Sequence, residues 1–145
     1  MQIRSAETAG FCFGVERAVS LAEQTAKSCA SAVTLGPIIH NRHVVERFEA
    51  MGLREIARAE DAQPGQTVVI RAHGIPVSEQ QTLAARGAKL VDATCPFVKK
   101  IHVIARQAEE AGRHLLIIGT PTHPEVTAIA SYSFDAHVFQ TAEAL

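Results

Sequence analysis

No excess of either charge marks this 145-residue chain: acids and bases are spread evenly along it and leave a net charge of −1. That excludes the basic stripe by which a protein holds nucleic acid or an anionic membrane. An anionic ligand must then be held locally, by histidines, backbone amides and helix N-termini. No hydrophobic run approaches a membrane span, and MQIRSAETAG lacks the apolar core of a signal peptide, which points to a cytoplasmic protein. Three cysteines are an odd number for a disulfide framework, and in a reducing compartment they suit metal binding or catalysis. Walker, G-x-G-x-x-G, C-x-x-C and H-E-x-x-H motifs are all missing, which removes the commonest nucleotide, redox and zinc-protease readings. There is no low-complexity tract or long linker, and 47% hydrophobic residues suit one globular domain, or one plus a piece.

What is present is a strand–helix alternation. Strand patterns cover Gln2 to Glu7, Ala32 to Leu35, Thr67 to Arg71, Lys89 to Asp92, His114 to Ile118 and His137 to Gln140. Between them, helix stripes start at Val15, after a capping Asn41, at a Ser78–Gln81 capping box, at Pro96 and at Pro124. Gly52, Gly87 and Gly112 are placed to stop helices. Such alternation predicts an α/β fold of parallel βαβ units. Thr141 and Glu143 resemble the start of one more helix, so the second unit reads as incomplete.

Cys12, His40, His73, Cys95 and His123 each lie where a strand pattern gives out and a helix pattern begins. Open α/β sheets place their chemistry at that address. Cys12, between Gly10 and Gly14, and Cys95, before Pro96, both fall at helix mouths, which favour the thiolate that binds iron or zinc. Taken alone, Cys12 reads equally as a small buried thiol in a turn. Each histidine alone reads as a capping or loop residue; three together beside glycine or proline point to ligand binding. Glu125 suits either dipole compensation in a first helical turn or a general acid beside His123. Cys29 falls on the apolar face of the first helix and reads as a core thiol. His43, His102, His114 and His137 read as structural.

Gly10-Phe-Cys-Phe-Gly-Val-Glu-Arg-Ala18, His40-Asn-Arg42, Arg71-Ala-His-Gly74, Asp92-Ala-Thr-Cys-Pro96 and His123-Pro-Glu-Val126 together resemble the 4-hydroxy-3-methylbut-2-enyl diphosphate reductases. The match runs in order along essentially the whole chain. It implies a [4Fe–4S] cluster held by three cysteines, of which Cys12 and Cys95 match the first two. It implies that His40 and His73 hold the substrate diphosphate, that His123 lines the same pocket, and that Glu125 delivers protons to the departing hydroxyl. The implied reaction is a reductive dehydroxylation to isopentenyl and dimethylallyl diphosphate, with electrons from a ferredoxin or flavodoxin.

By the same resemblance, relatives are about twice as long, with three similar α/β domains around the cluster. Residues 1–96 are then expected to form a first domain carrying the cluster ligands and diphosphate histidines, and residues 97–145 an incomplete second carrying the His-Pro-Glu motif. A third cysteine, a relay threonine and a Ser-x-Asn segment fall in the half not represented, and Cys29 does not match that third ligand. Val126-Thr127-Ala128-Ile129 also lacks the Glu-Gly that often follows the glutamate in relatives. The expectation is an N-terminal portion of the reductase, inactive until a complementary C-terminal chain restores the site. The alternative is a non-catalytic α/β module binding a phosphometabolite or zinc.

Overall fold

The computed structural model describes residues 2–144. A helix α1 (Phe13–Ser28) precedes β1 (Val33–Leu35), α2 (Arg42–Ala50), β2 (Arg54–Ile56), β3 (Thr67–Ile70), α3 (Val77–Ala85) and β4 (Lys89–Asp92). The four strands make one parallel sheet in the order β2-β1-β3-β4. Then α4 (Pro96–Glu110), β5 (Leu115–Ile118), α5 (Pro124–Ala130) and β6 (Ala136–Phe139) follow, with β5 and β6 forming a separate parallel pair. The expected α/β class is what the chain adopts.

Parallel strands buried on both faces favour continuous apolar runs; β3 has one in Val68–Ile70, and β1 buries Thr34 between Val33 and Leu35. On one face Ala18, Val19 and Ala22 of α1 and Val44 and Phe48 of α2 close over Val69. On the other, Leu83 of α3 and Ile75 close over Val33, Leu35, Val68 and Ile70. Leu35, Ile38, Ile75 and Leu83 are essentially inaccessible, and each such side chain contributes about 1.5–3 kcal/mol by leaving water.

The succession α1–β1–α2–β2 is repeated by α4–β5–α5–β6. In both copies the two helices pack on each other and the two strands pair in parallel. The first copy is completed by β3 on the open edge of β1 and by α3 on its second face. In the second copy those two positions are unfilled among the described residues. Leu116 and Ile118 there remain 52% and 64% exposed.

Three details depart from expectation. Gln2 to Glu7 forms no strand, and Ile3 is 84% exposed. The segment pairs with neither edge strand, and unpaired backbone groups turn to water instead. The Ser78–Gln81 capping box does not form: Pro76, in an extended conformation, ends the loop and the helix starts at Val77. The Val77 amide, an orphan donor of that first turn, donates instead to Ser131 Oγ at 3.0 Å. Finally, Arg54–Ile56 is a strand that its composition hides, since Arg and Glu at an exposed edge carry no alternation.

Candidate active site

The site is built on the carboxyl ends of β1, β3 and β4, whose loops continue the sheet's hydrogen bonding. The Ala72 amide donates to the Ile38 carbonyl at 3.1 Å, and the Cys95 amide donates to the Ala72 carbonyl at 2.9 Å. His40, His73 and Cys95 are thus set on three adjacent loops fixed by backbone bonds. Asn41 caps α2 by accepting from the Val44 amide at 3.2 Å, which holds His40 just outside the helix.

His123 joins them from the loop after β5. Ring centroids lie 4.6 Å apart for His40 and His73, 5.6 Å for His73 and His123, and 6.0 Å for His40 and His123. The three expected imidazoles therefore form one cluster. Burial, then the neighbouring His40, His123 and Arg71, push the His73 pKa down to about 4. Its Nδ1 is buried without a partner, and an orphaned polar atom of this kind calls for a ligand. His123 accepts from the Glu125 amide through Nδ1 at 3.2 Å, so the remaining ring proton sits on Nε2. Glu125 is thereby fixed in the first turn of α5, two residues beyond the cluster.

Two glycines are forced by this packing. Gly36 has φ +69° and any side chain on it would collide with the Arg71 guanidinium. Gly74 has φ +78°, and a Cβ there would lie 2.7 Å from His102 Cε1.

Cys12 and Cys95 are the N-caps of α1 and α4, and neither helix end receives a side-chain cap. Cys12 is exposed and Cys95 half-buried, both free. Gly14, in the first turn after Cys12, lies directly against Cys95 Sγ. The two helix mouths that carry thiols therefore converge. Arg17 locks them by donating to the Thr94 carbonyl at 3.2 Å and the Asp92 carbonyl at 3.5 Å. The Asp92 carboxylate accepts from the Thr94 amide at 2.9 Å and pairs with Lys99 at 2.6 Å. Burial alone would raise the Asp92 pKa, yet the bonds from Lys99 and Thr94 outweigh it and hold it below the ordinary range.

Cys29 is elsewhere. It caps the far end of α1, with Sγ 3.6 Å from the hydroxyls of Thr67 and Ser31. Thr67 opens β3, so Cys29 sits at the opposite end of the sheet from Cys95. It packs beside the core as expected, though at the helix terminus among hydroxyls rather than on the helix's apolar face.

A family model described as LytB protein matches residues 3–145. The chain belongs to the LytB family. A LytB relative from Oleidesulfovibrio alaskensis, named 4-hydroxy-3-methylbut-2-enyl diphosphate reductase, is 47% identical over all of this chain and 52% of its own length. One of the same name from Aquifex aeolicus is 44% identical over 88% of this chain and 44% of its own. A solved structure of (E)-4-hydroxy-3-methyl-but-2-enyl diphosphate reductase superposes with a TM-score of 0.81 at 42% identity, over 95% of this chain and 50% of that one. The Plasmodium falciparum reductase superposes with a TM-score of 0.88 at 27% identity, covering 44% of its chain. The chain spans about half the length of the LytB relatives it matches.

Four further residues brace these loops: Arg17, Arg71, Asp92 and Lys99. Arg17 was readable, as a charged residue next to the buried stripe Ala18, Val19, Ala22. Asp92 and Lys99 flank Cys95 at a spacing that brings a strand end to a first helical turn. Arg71 had no signal of its own beyond its place two residues before His73.

Proposed function

We propose that this chain contributes the N-terminal share of a 4-hydroxy-3-methylbut-2-enyl diphosphate reductase site. The observation that carries the reading is the His40–His73–His123 cluster, with its buried, unpartnered His73 Nδ1, beside two thiols at converging helix mouths. Burial first, then the neighbouring His40 and His123, disfavour the protonated form of His73, and an anion set beside it reverses that cost. A diphosphate, with several acceptor oxygens, matches donors arriving from three loops.

Cys12 and Cys95 are soft donors in positions that suit an iron–sulfur cluster, and they supply two of three thiolates. The third comes from outside these residues, because Cys29 faces the wrong end of the sheet. When bound, a [4Fe–4S] cluster supplies electrons and a Lewis-acidic iron for the substrate's C–O bond. The residues of this chain do the rest. His40, His73 and His123 bind the diphosphate, and Glu125, anchored beside His123, delivers a proton to the departing hydroxyl. In balance, one C–O bond breaks, two electrons and two protons enter, and water leaves with an isopentenyl or dimethylallyl diphosphate. A ferredoxin or flavodoxin is the electron donor in this reading. Residues 1–96 and 97–145 act as a first domain and part of a second, working in the cytoplasm. Among the described residues no helix is long and apolar enough to cross a membrane.

A second reading has one specific observation in its favour: the donor nitrogens of His40, His73 and His123 lie within 4.8 Å of one another, a spacing that suits zinc. One experiment separates the two. The chain is reconstituted without oxygen, alone and with the C-terminal half of a relative, and iron, sulfide and zinc are measured. Iron with matching sulfide that requires Cys12 and Cys95 supports the reductase. Zinc without sulfide, insensitive to both cysteines, overturns it.

A further inference from the structure

A second histidine cluster lies at the other end of the β5–β6 pair. His114 immediately precedes β5, Asp135 immediately precedes β6, and His137 is the second residue of β6. The register sets Leu115 opposite Ala136 and Leu116 opposite His137. Side chains alternate along strands, so His114, Asp135 and His137 share one sheet face. The Asp135 carboxylate bridges the imidazoles, with Oδ1 2.7 Å from His137 Nε2 and Oδ2 against His114 Nδ1. One ligand atom from each residue lies within 4.8 Å of the other two. The three side chains are 74%, 47% and 54% exposed, so water can fill the remaining positions around an ion.

Two imidazoles and one carboxylate gathered on one sheet face form the donor set of a borderline divalent transition metal, while magnesium and calcium prefer oxygen alone. We propose that His114, Asp135 and His137 bind one divalent ion of the zinc class and that the ion clamps β5 to β6. The inference does not rest on the reductase reading. The residues lie at the amino ends of the strands, while His123 follows the carboxyl end of β5. A four-residue strand separates them, about 13 Å of chain. Nor does it depend on what covers the open face of the pair. In the first copy of the repeat, α3 covers Val33 and Leu35, yet Ser31 and Arg54, which correspond to His114 and His137, remain exposed.

A clamp at this place has a physical purpose. Two-stranded pairs are marginal without further support, and a metal whose ligands span both strands fixes their register. The test is zinc titration of the chain with its thiols alkylated, followed by nitrogen NMR of the imidazole rings. Zinc should move the His114 and His137 ring signals together. His114→Ala, His137→Ala and Asp135→Asn should each lower affinity about tenfold or more. His73→Ala, which alters only the other cluster, should leave this binding intact. His114 and His137 lie outside the two buried core clusters, and a circular dichroism spectrum of each variant checks that it folds. Unmoved His114 and His137 signals, or zinc lost only with His73, would overturn the proposal.

Discussion

Arg17 donates to the carbonyl of Thr94 at 3.2 Å, across 77 residues of sequence. The bond ties α1 to the loop that leads into α4, so the two cysteine-bearing helix ends are held together by a residue outside both caps. A part-buried charged donor to a carbonyl contributes about 1.5–3 kcal/mol. Arg17→Met should lower stability by about that amount in urea unfolding and speed alkylation of Cys95. Unchanged stability and reactivity would show that the helix mouths are held by other contacts.

A Cβ on Gly14 would collide with Cys95 Sγ, so the thiol must shift to admit one. Gly14→Ala should cost about 1–3 kcal/mol as an overpacked contact, and should reduce iron incorporation when the complementary half is supplied. A variant with the parent's melting temperature and iron content would show that the two helix ends stand farther apart.

His73 has its pKa depressed to about 4 by burial and then by the neighbouring His40, His123 and Arg71. The unfolded chain takes up this proton near pH 6.5 and the folded chain only near 4. The contribution to stability is therefore complete above pH 6.5 and is lost as pH falls from there to 4. His73→Phe should flatten the acid side of the stability profile in that window. Pyrophosphate bound among the imidazoles should raise the His73 pKa, so binding should take up protons near pH 6. Calorimetry in buffers of different ionisation enthalpy measures the uptake, and binding without protons would separate His73 from the anion.

Cys29 bonds to Thr67 and Ser31, and those hydroxyls, Thr67 foremost, hold its pKa below the usual thiol range. Cys29→Ala should leave iron and sulfide in the complemented protein unchanged, while Cys12→Ala and Cys95→Ala should each abolish most of it. Iron loss in Cys29→Ala equal to that in Cys12→Ala would make Cys29 a ligand.

The parts of the fold legible in the sequence are those that local chemistry decides. Asn41, Pro96 and Pro124 act where a cap or a first-turn proline must act, and Lys89–Asp92 is a strand with the boundaries its pattern predicts. The positions of His40, His73, Cys95 and His123 were legible for a related reason, since each follows the end of a strand, whereas Cys12 follows none among the described residues. What the pattern could not carry is decided by partners distant in sequence. Gln2 to Glu7 has the alternation of a strand but no neighbour to bond. Ser78 has the spacing of a cap, but Pro76 and Ser131 settle where that helix begins. Arg17 and Asp92 act through carbonyls and loops remote in sequence, and periodicity along one helix says nothing of them.

The repeated α–β–α–β succession turns the site into a matter of counting. Cys12 and Cys95 open the first helix of each copy, and His40 and His123 precede the second. On the proposed reading, each copy, counted from the cap of its first helix, supplies one sulfur and one imidazole to a common centre. The proposed set of three sulfurs then asks for a third such copy, and copies closing head to tail need no interface of a new kind. His73 is the one contributor outside this pairing. It belongs to β3, so the loop following whichever strand flanks β5 is the corresponding position for the next polar contact to the anion.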